Sequence, residues 1–377
     1  MKVALVHDYL KEYGGAERVL EALHEIWPKA PIYTAFCDRG SSAGQVFAQA
    51  KIVESWLAPL LKFKSFYSPL RFLAPIVWRS FDFSQYDVVI ASASWYITRG
   101  FKVGPKTKVF CYCHTPPRYL YGYQTSLEWQ RYWLVRVYAL IVNHFLRLYD
   151  FRSAQTVDHF IVNSRNTQGR VKKFYCRDSS IIYPPAEVEK IKKATLGLKQ
   201  KNYFLVVSRV VGAKGIDLAI KASSKLKIPL KIIGEKAGLH WLNQDLKNLK
   251  SRWVEFTGRV TDQELYRYYG QAKAFLALAT DEDFGITPVE AMASGRPVIA
   301  YRGGGYLESV LEGKTGEFFD YPTTESLIKI LKNFKASKYK SEDCYLQAKK
   351  FSKERFQKEI KTFVAKNYAR TTRSRNN

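Results

Sequence analysis

Asp281-Glu282-Asp283-Phe284-Gly285-Ile286-Thr287-Pro288-Val289-Glu290-Ala291-Met292-Ala293-Ser294-Gly295 is the stretch on which the fold of this 377-residue chain turns. It follows the apolar run 273–278, which has the length and composition of a buried strand. Thr287 can cap a helix, Pro288 suits its first position, and Gly295 with Pro297 ends it. A strand that turns directly into a helix leaves backbone N–H groups near Phe284, Gly285, Ile286 and Thr287 without intrahelical partners, an anion site that fits a diphosphate. Glu282 precedes the helix and Glu290 lies about one turn into it, so two carboxylates flank the site and can accept bonds from sugar and ribose hydroxyls. Acids also favour helix N-termini for electrostatic reasons alone, which gives the pattern a purely structural alternative.

Outward from this segment, short β-branched or apolar runs alternate with helical spacing, the signature of parallel sheets with crossover helices. One series comprises residues 2–6, 31–36, 87–92, 108–112 and 159–163; a second comprises 203–208, 229–234, 253–257, 273–278 and 297–301. Tyr183-Pro184-Pro185 and a charged stretch separate them, and paired prolines stop regular structure. The expected organisation is an N-terminal doubly wound domain over 1–185, a second over 186–351, and a helix over 352–377 that returns to the first domain and ends in a basic tail. Ligands of such folds bind at the carboxyl ends of the strands, and here the cleft between the two domains is the expected place.

Composition narrows the class. Hydrophobic residues at 46% and charged residues at 25% are globular proportions and exclude disorder and fibrous repeats. Sixty Lys and Arg against 34 Asp and Glu give a net charge of +26, which calls for an anionic partner: nucleic acid, a membrane surface or a phosphorylated small molecule. The five scattered cysteines Cys37, Cys111, Cys113, Cys176 and Cys344 have neither zinc nor redox spacing and fit a reducing cytoplasm. MKVALVHDYL at the start reads as a strand rather than a signal sequence. The apolar stretch 133–149 is interrupted by Arg136, Asn143, His144 and Arg147, short of the ~20 clean residues of a spanning helix.

Three further segments carry candidate chemistry. Ser208-Arg209-Val210-Val211-Gly212-Ala213-Lys214-Gly215 follows the first strand of the second series and supplies two cations in a glycine-bearing turn; Arg209 and Lys214 can clamp phosphates, or be solvated surface charge. Tyr13-Gly14-Gly15-Ala16-Glu17-Arg18-Val19 follows the first strand, where Gly14 and Gly15 permit close approach of a phosphate or simply a tight turn. Cys113-His114-Thr115-Pro116-Pro117-Arg118-Tyr119 places His114 at another strand's carboxyl end, where it is catalytic or structural.

With these segments in order, the chain resembles glycosyltransferase family 4, the retaining enzymes of GT-B architecture, along nearly its whole length. EDFGITPVE, EAMASGRPVIA, SRVVGAKG, TGRVTDQEL and GGAERV carry the resemblance, and CHTPPRYLY is similar to a bacterial mannosyltransferase-like branch that builds lipid-linked surface polysaccharides. The resemblance implies that Glu290 binds the donor ribose, Glu282 the transferred sugar, and Arg209 with Lys214 the diphosphate. It also implies that the amides of Phe284, Gly285 and Ile286 touch sugar or phosphate, that Gly14 and Gly15 close over the donor, that His114 lies beside the reacting sugar, and that Gly258-Arg259-Val260 lies near the base. One departure is Gly234-Glu235-Lys236-Ala237-Gly238, where many members have Gly-Asp-Gly-Pro.

The expected activity is transfer of a hexose, mannose from GDP-mannose, to a lipid-linked saccharide by front-face attack. The cations then take the place of a metal, and no cofactor is needed. A UDP-sugar donor and a sugar-nucleotide epimerase of the same two-domain plan are the alternatives; a nucleic-acid partner is not expected, since no recognised motif accompanies the charge. In residues 56–83, Trp56, Phe63, Phe66, Tyr67, Phe72 and Trp78 alternate with Lys62, Lys64, Arg71 and Arg79, and residues 129–152 repeat the theme. Such mixtures suit an anionic headgroup layer on the inner face of the cell membrane; the alternative is amphipathic helices whose apolar side is core.

Overall fold

The structure, a computed structural model, describes residues 1–63, 66–123, 125, 132–208, 214–234 and 251–373, with side chains through residue 369. Of the described residues, the first of two compact units holds 1–123, 132–185 and those from Glu354 on, and the second holds Thr125 and Ala186–Lys353.

In the first unit, chain order is β1 (Val3–His7), α1 (Gly15–Ile26), β2 (Ile32–Thr34), α2 (Ser42–Val46), β3 (Ile52–Glu54), α3 (Ala58–Lys62), α4 (Ala74–Arg79), β4 (Val88–Ala93), β5 (Lys108–Cys113), α5 (Trp133–Gln155), β6 (His159–Val162), α6 (Arg165–Tyr175) and β7 (Ser179–Ile181). In the second it is α7 (Val188–Thr195), β8 (Phe204–Val207), α8 (Ile216–Leu226), β9 (Leu230–Ile233), β10 (Val254–Gly258), α9 (Asp262–Gln271), β11 (Ala274–Ala277), α10 (Ile286–Ala293), β12 (Val298–Tyr301), α11 (Tyr306–Ser309), β13 (Gly316–Phe319), α12 (Thr324–Asn333) and α13 (Ser341–Lys349); α14 (Lys353–Arg373) closes the chain.

Among the described residues the first unit has a seven-stranded sheet, β3-β2-β1-β4-β5-β6-β7, and the second a six-stranded one, β10-β9-β8-β11-β12-β13. Every pair is parallel. β1, β4 and β5 are buried almost throughout, as strands covered on both faces must be, which is why they read as continuous apolar runs. In each sheet the order reverses at one point, between β1 and β4 and between β8 and β11, where the following loops part to opposite faces and leave a crevice. This is the doubly wound α/β architecture that the alternating pattern predicts.

The edge strands β3, β7 and β13 fall outside the predicted series. Two have only three residues, IVE and SSI, and the third begins with Gly and Glu; strands paired on one side only need no long apolar run. Helix α10 also begins earlier than expected. Its N-cap is Gly285 in the left-handed region at φ 82°, so Thr287 lies inside the helix instead of capping it and Pro288 is its third residue. Trp78, grouped above with interfacial aromatics, is fully buried and donates its indole N–H to the Tyr96 carbonyl at 2.7 Å.

The C-terminal helix α14 belongs to the first unit. Phe356, Ile360 and Val364 lie four residues apart on one face, are fully buried, and pack with Leu5, Ile32, Phe110 and Ile161. Arg355 donates to the Tyr183 carbonyl at 2.6 Å and Gln357 to Glu25 at 2.6 Å. Among the described residues no helix is long and apolar enough to cross a membrane. Truncating Phe356 leaves a cavity in this core, so Phe356→Ala is expected to cost about 3–5 kcal/mol, measured by urea unfolding against Leu196→Ala, a control at a side chain 81% exposed.

Candidate active site

In the second unit the crevice between β8 and β11 brings together Lys214 and Glu282. The loop after β8 ends at Gly215, the N-cap of α8, with φ 64°. A Cβ there would lie 2.8 Å from the Leu278 carbonyl oxygen, so glycine lets this loop press against the chain leaving β11. The result is a contact between residues 68 apart in sequence: Lys214 Nζ donates to Glu282 Oε2 at 2.6 Å. Both side chains are largely but not fully covered, at 29% and 19% exposure. Tyr306 also donates to Glu282 Oε2, at 3.4 Å. Burial and the nearby carboxylate push the Tyr306 hydroxyl well above its usual pKa, so it remains a donor.

Beneath Glu282 lies Gly303-Gly304-Gly305, a feature the sequence reading passed over. Added Cβ atoms would meet the Glu282 carbonyl oxygen at 2.3 Å from Gly304 and the Phe284 Cα at 2.3 Å from Gly305, while Gly305 N–H donates to the Glu282 carbonyl at 2.9 Å. At Gly285 a Cβ would clash with the Tyr306 ring at 2.6 Å. The glycine run thus fixes residues 282–285 and the first turn of α10 by direct backbone contact; its legible signal was three glycines at the carboxyl end of a strand. Phe284 turns its side chain into the core, ring centroid 5.3 Å from Phe351, so only its backbone is placed toward α10's amide end. Ile286 and Thr287 open α10. Glu290 is buried at 1% exposure and accepts from the Tyr269 hydroxyl at 2.8 Å.

Gly258 ends β10 with φ 73°, and its carbonyl accepts from Gly234 N–H at 2.9 Å; Val260 and the exposed Arg259 follow. Arg209 and residues 235–238 of the departing turn lie outside the described residues. Among the described residues no group of three or more His, Cys, Asp or Glu side chains is arranged to hold a metal ion.

In the first unit the crevice between β1 and β4 joins two motifs that lie far apart in sequence. His114, just beyond β5, has Nε2 2.8 Å from Ser92 Oγ; that hydroxyl is 3.0 Å from His7 Nδ1; and His7 Nε2 is 3.3 Å from Glu17 Oε1. The other oxygen of Glu17 accepts from Gly14 N–H at 2.9 Å, at the head of α1, whose first residue is Gly15. A carboxylate only accepts. With Glu17 in that form, a neutral His7 donates through Nε2–H and accepts at Nδ1 from the Ser92 hydroxyl, which leaves the serine oxygen to accept from His114 Nε2–H. His114 then has its lone pair on Nδ1, available to accept from a ligand hydroxyl. Burial, followed by the His7 imidazole, pushes the His114 pKa down to about 4, so the ring is neutral near pH 7. Its backbone is held too: the carbonyl accepts from Asn163 Nδ2 at 2.8 Å.

Asp8 supports the same crevice, accepting from Ser94, Trp95 and Tyr96 N–H groups at 3.1, 2.6 and 3.1 Å. His7, Asp8, Glu17 and Ser92 were not singled out from sequence; the available signal was polar residues ending otherwise apolar strands.

Comparison with known proteins bears on both units. The chain matches the family described as glycosyl transferases group 1 over residues 187–351 and glycosyltransferase family 4 over residues 13–190. It is 28% identical over 279 residues to the alpha-1,3/1,6-mannosyltransferase ALG2 of Dictyostelium discoideum, a match covering 63% of this chain and 64% of that one. Over 156 residues it is 31% identical to the GDP-mannose-dependent alpha-(1-6)-phosphatidylinositol monomannoside mannosyltransferase of Mycolicibacterium smegmatis, covering 38% of this chain and 41% of that one. The crystal structure of Anabaena Alr3699/HepE in complex with UDP-glucose superposes with a TM-score of 0.70 at 16% identity, covering 97% of this chain and 100% of that one, a likeness of fold.

The depressed pKa of His114 is open to measurement. In the folded protein its ring should be half protonated at about pH 4, against 6.5 for a free imidazole. The unfolded chain binds that proton first on acidification, so this group's contribution to stability is full above 6.5 and falls as pH drops toward 4. NMR titration of the ring checks the midpoint, and urea unfolding at pH 7 and 5 should show a larger loss for the natural chain than for His114→Gln.

Proposed function

This chain belongs to glycosyltransferase family 4, whose members are retaining hexosyltransferases of GT-B fold, and on that premise we propose that it transfers mannose from GDP-mannose to a lipid-linked saccharide. The observation that carries the proposal is the Lys214–Glu282 pair at the mouth of α10. It sets a cation and a carboxylate side by side, matching a donor in which a diphosphate adjoins the hydroxyls of a sugar. Lys214, Arg209 and the amides of Phe284, Gly285 and Ile286 take the diphosphate; Glu282 accepts from the sugar, Glu290 from the ribose, and Gly258, Arg259 and Val260 adjoin the base. On the first unit, considered by itself, Gly14 and Gly15 leave room for a phosphate and the neutral His114 can accept from a sugar hydroxyl through Nδ1.

In the reaction the bond from the anomeric carbon to the β-phosphate oxygen breaks, and the acceptor oxygen bonds the same carbon on the same face. The acceptor proton passes to the departing phosphate oxygen, and the fixed amides and cations stabilise the charge that grows there. Anomeric configuration is thereby retained, with no covalent enzyme intermediate and with the cations carrying the electrostatic role a metal has elsewhere.

Mannose and a GDP-linked donor are supported by the names of the Dictyostelium and mycobacterial relatives; the lipid-linked acceptor, in surface polysaccharide synthesis at the cytoplasmic face of the membrane, is supported by the likeness of residues 113–121 to the lipid-linked branch and by the exposed apolar side chains of α5, Leu140 and Phe145 among them. The test is incubation with GDP-mannose and a lipid-linked saccharide fraction. The natural chain should form an α-mannoside and leave donor alone unchanged, whereas an epimerase would convert donor without acceptor. Lys214→Ala should lower kcat/KM on the order of a hundredfold or more at unchanged melting temperature; undiminished turnover in that variant, or turnover only with UDP-sugars, would overturn the assignment.

A further inference from the structure

Helix α5 turns most of its large apolar side chains outward. Its buried residues are Asn143, Leu146, Asp150, Ser153 and Ala154, while Trp133, Val137, Leu140, Ile141, Phe145 and Leu148 are 69%, 48%, 72%, 55%, 66% and 44% exposed. At 100° per residue these six fall within an arc of about 140°, so they form one continuous stripe. The inward face is held by polar contacts: Asp150 accepts from the Tyr121 hydroxyl at 2.7 Å and the Tyr175 hydroxyl at 3.2 Å and pairs with the buried Arg99, and Arg71 donates to Asn143 at 3.3 Å. An apolar stripe of this extent facing water marks a surface that something covers.

At the C-terminal end of the stripe the molecule has a cavity of about 290 Å³ lined by Phe145, Leu148, Tyr149 and Thr156, with Arg79 from the end of α4 and Arg152 from α5 on its wall. The Arg79 guanidinium lies 5.7 Å from the centre of the Tyr149 ring. Neither arginine pairs with an acid among the described residues. By contrast, Lys62 pairs with Glu54 at 2.7 Å, and Arg71 donates to the Ser68 carbonyl at 3.4 Å and to Asn143 at 3.3 Å, so the cations that the sequence grouped together do not have equal freedom.

We propose that this cavity binds the phosphate of an anionic phospholipid between Arg79 and Arg152, while the apolar stripe of α5 lies in the acyl layer. Two guanidiniums with no acidic partner among the described residues, at the end of an apolar stripe, match a lipid in both respects: a phosphate takes bidentate bonds from arginine, and acyl chains cover Leu140, Phe145 and Leu148. The net charge of +26 adds attraction toward the same surface. The proposal deepens the membrane-facing part of the function above, and its test uses neither donor nor acceptor, so the two can fail separately.

The test is flotation of the full chain with vesicles of phosphatidylcholine alone and of phosphatidylcholine with phosphatidylglycerol. Binding should need the anionic lipid and weaken with salt. Joint Arg79→Ala and Arg152→Ala should reduce it about tenfold or more, and joint Leu140→Glu and Phe145→Glu should abolish it, with melting temperatures unchanged because these side chains are exposed. Joint Lys29→Ala and Lys106→Ala, at exposed sites in the same unit, should have a smaller effect. Equal loss in that control, equal binding to neutral vesicles, or a dimer in solution that Leu140→Glu and Phe145→Glu convert to monomer, would overturn the proposal.

Discussion

Parallel pairing of every strand is the constraint from which both crevices follow. Because all strands of a sheet point the same way, their carboxyl ends lie along one edge, and the loops that leave them diverge only where the strand order reverses. In the second unit that point is β8/β11, and it brings Lys214 to Glu282. In the first it is β1/β4, and it brings His7 to Ser92 and through it to His114. No local propensity accounts for either meeting; the topology does.

The crevices are stiffened in different ways. The second relies on missing side chains: Gly215, Gly285, Gly304 and Gly305 allow backbone to lie against neighbouring backbone or a ring at distances no Cβ tolerates. This places the amide end of α10 and the Glu282 carboxylate before any ligand arrives, the condition under which fixed dipoles contribute most to stabilising developing charge. The first relies on hydrogen bonds, with Asp8 gathering three backbone N–H groups and the chain from Glu17 to His114 committing one proton at each link. Rearranging any link changes which nitrogen of His114 carries hydrogen.

Much of this was legible in the sequence and some of it was not. Central strands announce themselves because both faces are buried, whereas β3, β7 and β13 at the edges were passed over. The segment from Asp281 to Gly295 disclosed a strand followed by a helix with acids at its mouth, but the helix starts at Ile286, behind a left-handed glycine, because Gly303-Gly304-Gly305 packs beneath it. The Lys214–Glu282 contact and the His7–Ser92–His114 chain join residues 68, 85 and 22 apart, and spacing along a chain carries no trace of such meetings. The apolar periodicity of α5 was visible too. Which side faces inward was not, since it depends on the buried Arg99 that a distant loop brings to Asp150 of the helix.

In the function proposed above, the second unit grips a diphosphate between Lys214 and the amide end of α10. A crystal structure with GDP-mannose tests it most directly. Phosphate oxygens are expected within hydrogen-bonding distance of Lys214 Nζ and of the Gly285 and Ile286 amides, with a sugar hydroxyl on Glu282 and the ribose on Glu290. A diphosphate bound elsewhere, with the mouth of α10 untouched, would contradict it.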